Sequence, residues 1–466
     1  MILKHFYEPS LAQSAYLIGC AETGEAVVID PTIDIGPHLD GAAQEGLRVT
    51  GVLETHIHAD FVSGARSLAA ATGATLHVSG EGGPEWQYAF GKEPGVRVLH
   101  HGDAIEVGRI RLDVVHTPGH TPEHLMFVVT DVRTTLAPLG VFTGDFLFAG
   151  DVGRPDLLET AAGQAGTMEA SARRLFVSLR TLARFPDHLL IWPGHGSGSA
   201  CGKSPSGVPV SSLGYERLTN WTLRERDEGT FVASVLSDQP DPPLYFAEMK
   251  RLNRNGAPVP SPVKELPALD VTAAEVAVAS GQLVIDVRAD SPRGSLPGAI
   301  AIPLTRSFSA WAGSVVPPVP YVIVAADAAE AALARDALAL IGRDGAIGWI
   351  PPAVLATVHD RGRELVAVPT ALEPHPGETL VDVRSSAEWR AGHLEGAVHV
   401  PLARLPERIG ALDRSAPLLV YCQAGVRSAV AASALGRLGF TRVTSLQGGL
   451  SAYRDRMSAG TGAAAG

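Results

Sequence analysis

The fold of the first half of this chain is decided by the stretch Thr55-His56-Ile57-His58-Ala59-Asp60-Phe61. An apolar, β-branched run over residues 49–55 leads into it and predicts a buried strand that delivers His56. Alternation along an extended segment points His56, His58 and Asp60 to the same side. Imidazoles and carboxylates gathered at the rim of a sheet are typical ligands of transition metals. The stretch therefore predicts a metal site at a strand end.

Further candidate ligands follow strand-like runs in the same half of the chain, and they are His120, Asp145 and His195. Strand ends that share one rim of a sheet can bring such residues to one ion although they are distant in sequence. A lone histidine is more often a core or surface residue. Several candidates at strand ends are hard to explain in that way, so the pattern favours a bound metal.

Residues 1–255 mix short strands with amphipathic helices, the clearest of which are predicted over 61–72 and 168–184. Two sheets with covering helices account for this mixture. The sequence therefore predicts a four-layer αββα sandwich as the first domain of an α/β multidomain protein.

An internal repeat follows a connector rich in proline over residues 256–267. The run Leu283-Val284-Ile285-Asp286-Val287-Arg288 matches Leu380-Val381-Asp382-Val383-Arg384. Each copy alternates strands with helices over about a hundred residues, which is typical of a small α/β domain with a parallel sheet. The sequence predicts two such domains, over 268–365 and 370–457.

Composition excludes several classes of partner. The chain has 466 residues with 49 acidic and 38 basic side chains, a net charge of −11. That balance argues against a nucleic-acid surface and gives no support for docking on an anionic membrane. The three cysteines are too few for a disulfide framework and predict a cytoplasmic protein. The composition is compatible with a homo-oligomer.

The metal motif resembles that of the metallo-β-lactamase superfamily, HxHxDH followed by a histidine, an aspartate and a histidine. The resemblance covers about residues 1–255 and implies the same sandwich. One departure is informative, because Phe61 stands where the motif has its last histidine. Dinuclear zinc hydrolases of the superfamily use that histidine in their second metal site. Because phenylalanine cannot bind a metal, we expect a single metal here.

Within the superfamily the sequence looks like the persulfide dioxygenases, which use non-haem iron(II). The family's iron ligands fall on His56, His120 and Asp145, a set that leaves positions open for substrate and dioxygen. His58, Asp60 and His195 would then orient these ligands and bound water. The resemblance implies one Fe(II) per chain, with zinc as the alternative occupant.

Three residues are predicted to contact the substrate. Arg154 lies in a Gly-Arg-x-Asp stretch similar to that family's, and it could bind a carboxylate or phosphate or form a structural clamp with Asp156. Cys201 lies in a glycine-rich loop after His195, and Lys203 beside it would lower the pKa of the thiol. The alternative for Cys201 is an ordinary loop thiol.

A second chemical motif occupies the last domain, Tyr421-Cys422-Gln423-Ala424-Gly425-Val426-Arg427-Ser428. Backbone N–H groups of such a loop and the following helix N-terminus stabilise an anion, and Arg427 adds fixed charge. Together with Asp382-Val383-Arg384 and Gln447-Gly448-Gly449 this closely resembles a rhodanese domain. The resemblance implies that Cys422 accepts a sulfane sulfur and passes it to a nucleophile such as sulfite or a thiol.

The first copy of the repeat lacks this equipment. Aligned without gaps through the loop, Cys422 falls on Ala325 and Arg427 falls on Glu330. A domain without the nucleophile cannot form a persulfide. Residues 268–365 are therefore predicted to be a structural or docking module.

The combination predicts an iron(II) persulfide dioxygenase coupled to a sulfurtransferase. Its small-molecule partners would be a low-molecular-weight thiol persulfide, dioxygen, and sulfite or thiosulfate. Neither the thiol nor the direction of sulfur flow follows from sequence. One alternative is a zinc thioester hydrolase of the glyoxalase II kind fused to a rhodanese. Another is a non-enzymatic sulfur carrier or sensor.

Overall fold

The chain folds into two compact units, Met1–Pro262 and Val263–Gly466. The computed structural model describes residues 1–160, 166–258, 265–361 and 365–463. The centre of the predicted connector, residues 259–264, lies outside the described residues. The finer domain limits given above stay predictions.

Two sheets form the centre of the first unit, each with six described strands. The first sheet contains β1 (Ile2–Glu8), β2 (Gln13–Cys20), β3 (Glu25–Ile29), β4 (Arg48–Leu53), β5 (Thr75–Ser79) and β6 (Val96–Leu99). The second contains β7 (Ala104–Val107), β8 (Ile110–His116), β9 (Leu125–Asp131), β10 (Gly140–Gly144), β11 (Leu190–Pro193) and β12 (Ser211–Ser212). Strands β3 to β6 are parallel, and so is the pair β10 and β11, whereas the other pairs are antiparallel.

Helices accompany both sheets of this unit. They are α1 (Gly36–Gln44), α2 (Ala65–Thr72), α3 (Leu157–Thr160), α4 (Met168–Arg180), α5 (Leu213–Thr219), α6 (Trp221–Arg224), α7 (Glu228–Leu236) and α8 (Tyr245–Asn255). The helix predicted over 61–72 begins only at Ala65. The preceding loop is held instead by Asn253, whose side-chain amide donates to the carbonyl of Phe61 and whose oxygen accepts the N–H of Ser63.

Three apolar layers confirm the predicted αββα sandwich. Between the sheets, rings such as Tyr16 and Phe142 pack at 5.1 Å between centroids. Leu68 of α2 packs in the layer outside the first sheet, and Leu175 of α4 packs in the layer outside the second. Each such side chain, fully buried, contributes about 1.5–3 kcal/mol. The sandwich thus places the ends of β4, β10 and β11 at fixed positions.

Each repeat of the second unit forms its own parallel sheet, as predicted. The first contains β13 (Leu283–Asp286), β14 (Ile300–Ala301), β15 (Tyr321–Val324) and β16 (Ala346–Ile350). The second contains β17 (Thr370–Ala371), β18 (Thr379–Asp382), β19 (Val398–His399), β20 (Leu418–Tyr421) and β21 (Val443–Leu446).

The helices of the second unit are α9 (Val271–Ala279), α10 (Phe308–Val315), α11 (Ala328–Leu340), α12 (Pro352–Asp360), α13 (Ser386–Arg390), α14 (Leu405–Arg408), α15 (Val426–Arg437) and α16 (Gly449–Ala463). Across the described parts of the chain, no helix combines the length and the apolar character that a membrane crossing requires.

An aspartate–arginine clamp explains the repeated sequence. Arg288 donates from Nε and Nη2 to Asp286 at 2.9 and 2.7 Å, and its Nη2 also donates to the carbonyl of Gly294. Arg384 makes the same contacts to Asp382 and to the carbonyl of Gly392. Such bidentate pairs are stronger than neutral hydrogen bonds. In each copy the clamp ties the end of a central strand to the loop that follows it.

Candidate functional site

The structure brings three of the predicted metal ligands together. His56 follows β4, His120 lies between β8 and β9, and Asp145 follows β10. The Nε2 atoms of His56 and His120 lie 3.9 and 3.6 Å from the same oxygen, Oδ2 of Asp145. All three side chains are buried, and their candidate ligand atoms lie within 4.8 Å of one another.

These three residues fit a metal ion. Oδ2 of Asp145 is buried and has no hydrogen-bond partner among the described residues. His120 Nδ1 lies 2.9 Å from the carbonyl of Arg154, which can only accept, so Nδ1 carries the proton and Nε2 keeps its lone pair. Burial lowers the pKa of both His56 and His120 and favours neutral rings. Neutral imidazole and ionised carboxylate are the forms that bind metals.

A hydrogen-bonded chain behind His56 fixes its tautomer. The hydroxyl of Thr55 donates to Oδ2 of Asp30 at 2.8 Å. The same oxygen of Thr55 lies 2.9 Å from His56 Nδ1, and it can only accept there because its proton is already used. His56 therefore presents its Nε2 lone pair toward Asp145. Partners of this kind orient metal-binding histidines in other proteins.

His195 bridges two carboxylates. Its Nδ1 donates to Oδ1 of Asp145 at 2.7 Å, and its Nε2 donates to Oδ2 of Asp60 at 2.8 Å. Burial opposes protonation of this ring, but the two carboxylates outweigh it and raise its pKa to about 10. Burial likewise opposes ionisation of Asp145, yet the charge and hydrogen bond of His195 hold the pKa of that carboxyl below its usual range. With both ring nitrogens donating, His195 links the carboxylate of Asp145 to that of Asp60.

His58 faces away from this group, although it was predicted to orient the ligands. Its Nε2 lies 3.2 Å from Oδ1 of Asp30 and 3.4 Å from Oε2 of Glu54. The ring of Phe61, fully buried, packs on its other side at 4.4 Å between centroids. Phe61 thus fills the place of the missing ligand with an apolar ring.

Sequence reasoning missed Asp30, Glu54 and His124. His124 Nε2 accepts the backbone N–H of Asp145 at 3.1 Å and so holds the residue that carries the carboxylate. Its position directly before β9, four residues after His120, was the available signal. Asp30 and Glu54 each follow the end of a strand, which was the signal that identified the other candidates.

Two of the three residues predicted to contact substrate, Arg154 and Lys203, have other partners in the structure. Arg154 is 1% exposed and donates from Nε and Nη2 to Asp156 at 2.8 and 2.7 Å, which is the clamp alternative. Its Nη1 donates to two backbone carbonyls. Lys203 donates to Ser237 and to the carbonyl of Ser234 instead of facing the thiol. Arg154 is therefore engaged within the protein and not available to a substrate anion, whereas Lys203 is exposed and faces away from Cys201.

Cys201 is buried beside the metal residues. Its sulfur groups with Asp60 and His195, with ligand atoms within 4.8 Å of one another. Burial and the charges of Asp60 and Asp145 raise the pKa of this thiol well above its ordinary value. The expected lowering of its pKa by Lys203 is therefore wrong, because burial and the two carboxylates outweigh the positive charge of Arg154, and Lys203 is not among the charges that act on the sulfur.

The second candidate site surrounds Cys422, directly after β20. The N–H of Gly425 donates to the sulfur at 3.1 Å, and the hydroxyl of Ser428 lies 3.7 Å from it. Helix α15 begins at Val426, so its N-terminus points at the sulfur. Backbone donors and a helix N-terminus together suit a thiolate or a persulfide anion.

Arg427 lies beside this loop and pairs with Glu388. Its Nη1 and Nη2 donate to the two carboxylate oxygens, each at 2.7 Å. Burial raises the pKa of Glu388, but the hydrogen bond and charge of Arg427 dominate and lower it to about 2. The pair joins the first turn of α15 to α13 and thereby fixes the helix that carries the loop.

The first repeat has a shorter loop than the gapless alignment assumed. Asp286 pairs with Val324 as Asp382 pairs with Tyr421, so Ala325 does occupy the position of Cys422. Three residues lie between the end of β15 and the start of α11, whereas four lie between the end of β20 and the start of α15. Arg427 therefore corresponds to Ala329 and not to Glu330.

Comparison with known proteins agrees with this geometry. The family model of the metallo-beta-lactamase superfamily matches residues 10–195, and that of the rhodanese-like domain matches residues 370–456. Persulfide dioxygenase ETHE1, mitochondrial, of Homo sapiens is 30% identical over 224 residues, 47% of this chain and 75% of that protein. Hydroxyacylglutathione hydrolase of a Polaromonas species is 36% identical over 182 residues, 39% of this chain but only 60% of that protein.

A solved structure extends the similarity. The crystal structure of a metallo-beta-lactamase from Staphylococcus aureus subsp. aureus COL is 38% identical, with a TM-score of 0.67. The match covers 76% of this chain and 99% of that one. The fold of the first half therefore rests on both sequence and structural similarity.

The ligand group predicts the effect of His120→Ala. We expect this variant, reconstituted with iron(II) without oxygen, to retain at most a tenth of the wild-type iron, because a facial set loses one of its three ligands. Elemental analysis after gel filtration measures it. The control is His116→Ala, a half-buried histidine outside the three ligands. Equal iron in both variants would remove the ligand assignment.

The packing of Gly449 predicts that Gly449→Ala distorts the thiol loop. Its φ is +65°, and a Cβ would lie 2.5 Å from the carbonyl oxygen of Cys422. We expect a destabilisation of about 1–3 kcal/mol, seen as a lower thermal unfolding midpoint. The control is Gly436→Ala inside α15, where a Cβ meets nothing within 4 Å; it should stabilise by about 0.5–1 kcal/mol. An unchanged midpoint for Gly449→Ala would contradict the described packing.

Proposed function

Because this chain belongs to the metallo-beta-lactamase superfamily and carries a rhodanese-like domain, we propose that it is an iron(II) persulfide dioxygenase coupled to a sulfurtransferase. The observation that carries the first activity is the single set of His56, His120 and Asp145. The ligand set for a second metal is incomplete, since Phe61 stands in the place of a histidine and cannot bind a metal. This arrangement supports a mononuclear centre over a dinuclear hydrolase.

In the proposed reaction a thiol persulfide, dioxygen and water yield sulfite and the thiol. Iron(II) bound by His56, His120 and Asp145 would supply open positions where the sulfur and the gas meet. The residues around the site orient the metal ligands. Asp30 and Thr55 set the ring of His56, and the imidazolium of His195 holds Oδ1 of Asp145 so that Oδ2 stays free.

Of the residues predicted to contact substrate, only Cys201 is retained in the proposal. Its sulfur is beside Asp60 and His195, close to the metal ligands. As a neutral, buried thiol it would pack against the sulfur end of the substrate without adding charge.

For the second activity, Cys422 would act as the nucleophile. Its thiolate attacks the sulfane sulfur of thiosulfate, a new S–S bond forms, and sulfite leaves with the electron pair of the bond that breaks. The cysteine persulfide is held by the N–H of Gly425 and the N-terminus of α15. Sulfite or a thiol then removes the outer sulfur by the reverse displacement.

The two activities share sulfite. Sulfite is the product of the oxidation and the acceptor for the sulfur that Cys422 carries, so together they would give thiosulfate. The opposite direction uses the same residues. In that case Cys422 takes sulfur from thiosulfate and delivers it to a thiol, which generates the persulfide that the metal site oxidises.

The alternative function is zinc-dependent thioester hydrolysis, which the similarity to hydroxyacylglutathione hydrolase supports. That chemistry uses a metal to generate hydroxide at neutral pH. The apolar Phe61, which stands in the place of a metal-binding histidine, counts against it in its dinuclear form.

Oxygen consumption separates these two functions. Full-length protein purified without oxygen and loaded with iron(II) should consume dioxygen only when a small thiol persulfide is added. The zinc-loaded protein should consume none. Oxygen electrode traces and a thioester cleavage assay on the same preparations measure both. Thioester cleavage by the zinc form, with no oxygen uptake by the iron form, would favour the hydrolase.

Cys422→Ser should abolish sulfur transfer from thiosulfate to a thiol or to cyanide, and it should leave iron content and persulfide-dependent oxygen uptake within about twofold. The reason is that serine cannot form a persulfide, while Cys422 is not among the metal ligands His56, His120 and Asp145. Cys20→Ser is the control, since Cys20 is a buried thiol in the apolar layer between the two sheets. Transfer that survives in Cys422→Ser would eliminate Cys422 as the carrier.

A further inference from the structure

A second group of buried ligand atoms lies behind the first. Nε2 of His58 faces Oδ1 of Asp30 at 3.2 Å and Oε2 of Glu54 at 3.4 Å. Each of the three residues is at most 3% exposed. Their ligand atoms lie within 4.8 Å of one another, as those of His56, His120 and Asp145 do.

An ordinary ion pair does not explain this group. Both carboxylates approach the same nitrogen, and one N–H cannot serve two acceptors well. Charge-assisted N–H···O bonds are about 2.7–2.9 Å long, shorter than either distance here. His58 Nε2 and Glu54 Oε2 in fact have no hydrogen-bond partner among residues 1–160 or the other described segments.

His195 shows what a bridging imidazolium looks like in the same protein. It uses one nitrogen for each carboxylate, at 2.7 and 2.8 Å, with proper hydrogen-bond geometry. His58 instead uses one nitrogen for both, at longer distances. The contrast indicates that Asp30, Glu54 and His58 converge on a common point and not on each other.

The separations match those of ligands around a cation. Zinc binds imidazole nitrogen and carboxylate oxygen at about 2.0–2.2 Å, so two ligands of a tetrahedral site lie about 3.3–3.5 Å apart. A dication would also neutralise two carboxylates whose burial without a counter-charge is costly.

Hydrogen bonds hold both carboxylates. They leave Oε2 of Glu54 without a partner, and Oδ1 of Asp30 keeps a second lone pair beside the N–H that it accepts. Oε1 of Glu54 accepts the hydroxyl of Ser63, while Oε2 faces His58. Asp30 accepts the N–H of Thr55 on Oδ1 at 2.7 Å and its hydroxyl on Oδ2 at 2.8 Å. Preset ligands of this kind are characteristic of built metal sites.

We propose that Asp30, Glu54 and His58 bind a divalent cation of the zinc type, separate from the metal held by His56, His120 and Asp145. This site does not depend on the dioxygenase activity. Because Thr55 joins Asp30 to His56, the cation fixes the strand end that presents His56. Its role is therefore structural, and it stabilises the geometry of the neighbouring centre.

Zinc stoichiometry tests the proposal. Full-length metal-free protein is dialysed against zinc chloride, freed of loose ions by gel filtration and measured for zinc per chain. We expect two in the wild type, one in Glu54→Gln and one in His120→Ala. The matched control is Glu123→Gln, which should keep two. Glu123 is equally buried and also has an unpartnered Oε2, but it belongs to neither ligand group.

Anomalous diffraction at the zinc edge on wild-type crystals gives a measurement that needs no variant. A peak about 2.0–2.2 Å from the three ligand atoms supports the site even if Glu54→Gln fails to fold. One zinc per chain in the wild type, without a peak between Asp30 and Glu54, overturns it and leaves His58 as a bridging imidazolium. Two zinc ions retained by folded Glu54→Gln overturn it as well.

Discussion

The first unit depends on one fully buried carboxylate, that of Asp145. An ionised group away from water is costly unless it is paired and hydrogen-bonded. Here one oxygen accepts from the imidazolium of His195, and the other faces two neutral imidazoles. Since these partners follow β4, β8 and β11, the carboxylate is stable only when both sheets are in place. The metal centre and the sandwich therefore form together.

Hydrogen bonds connect the site around Asp145 to both sheets. On the side of the first sheet, Asp30 holds Thr55, which orients His56. On the side of the second, His124 accepts the N–H of Asp145 and so fixes the turn after β10. Buried networks of this kind specify one arrangement, because a partner that is lost leaves a buried polar group unsatisfied.

The sequence predicted the strand ends and the residues on them, because apolar runs and the glycine, proline and polar residues that bound them are local signals. It could not predict where His58 points. Strand β4 ends at Leu53, and the segment after it is not extended, so the two-residue period no longer applies at His58. The partners of His58, Asp30 and Glu54, meet it through tertiary packing. The prediction that Lys203 acts on Cys201 failed for the same reason, because the acceptors of Lys203 lie on α7 and on the residue after it.

The two repeats show that the same parallel sheet can form with or without the reactive loop. Both copies keep the aspartate–arginine clamp and the parallel strands, which depend on buried apolar residues. The loop of the first copy is one residue shorter than that around Cys422. There the carboxylate of Glu330 accepts the N–H of Ala326 at 2.6 Å.

A carboxylate of the chain thus takes a backbone donor that an anionic sulfur would need. Ala325 removes the nucleophile, the shorter loop moves the helix start, and Glu330 adds negative charge beside it. These three changes act on the loop alone, and none of them touches the strands. The first copy therefore has the same clamped parallel sheet as the second copy, and it lacks the groups that would hold a persulfide.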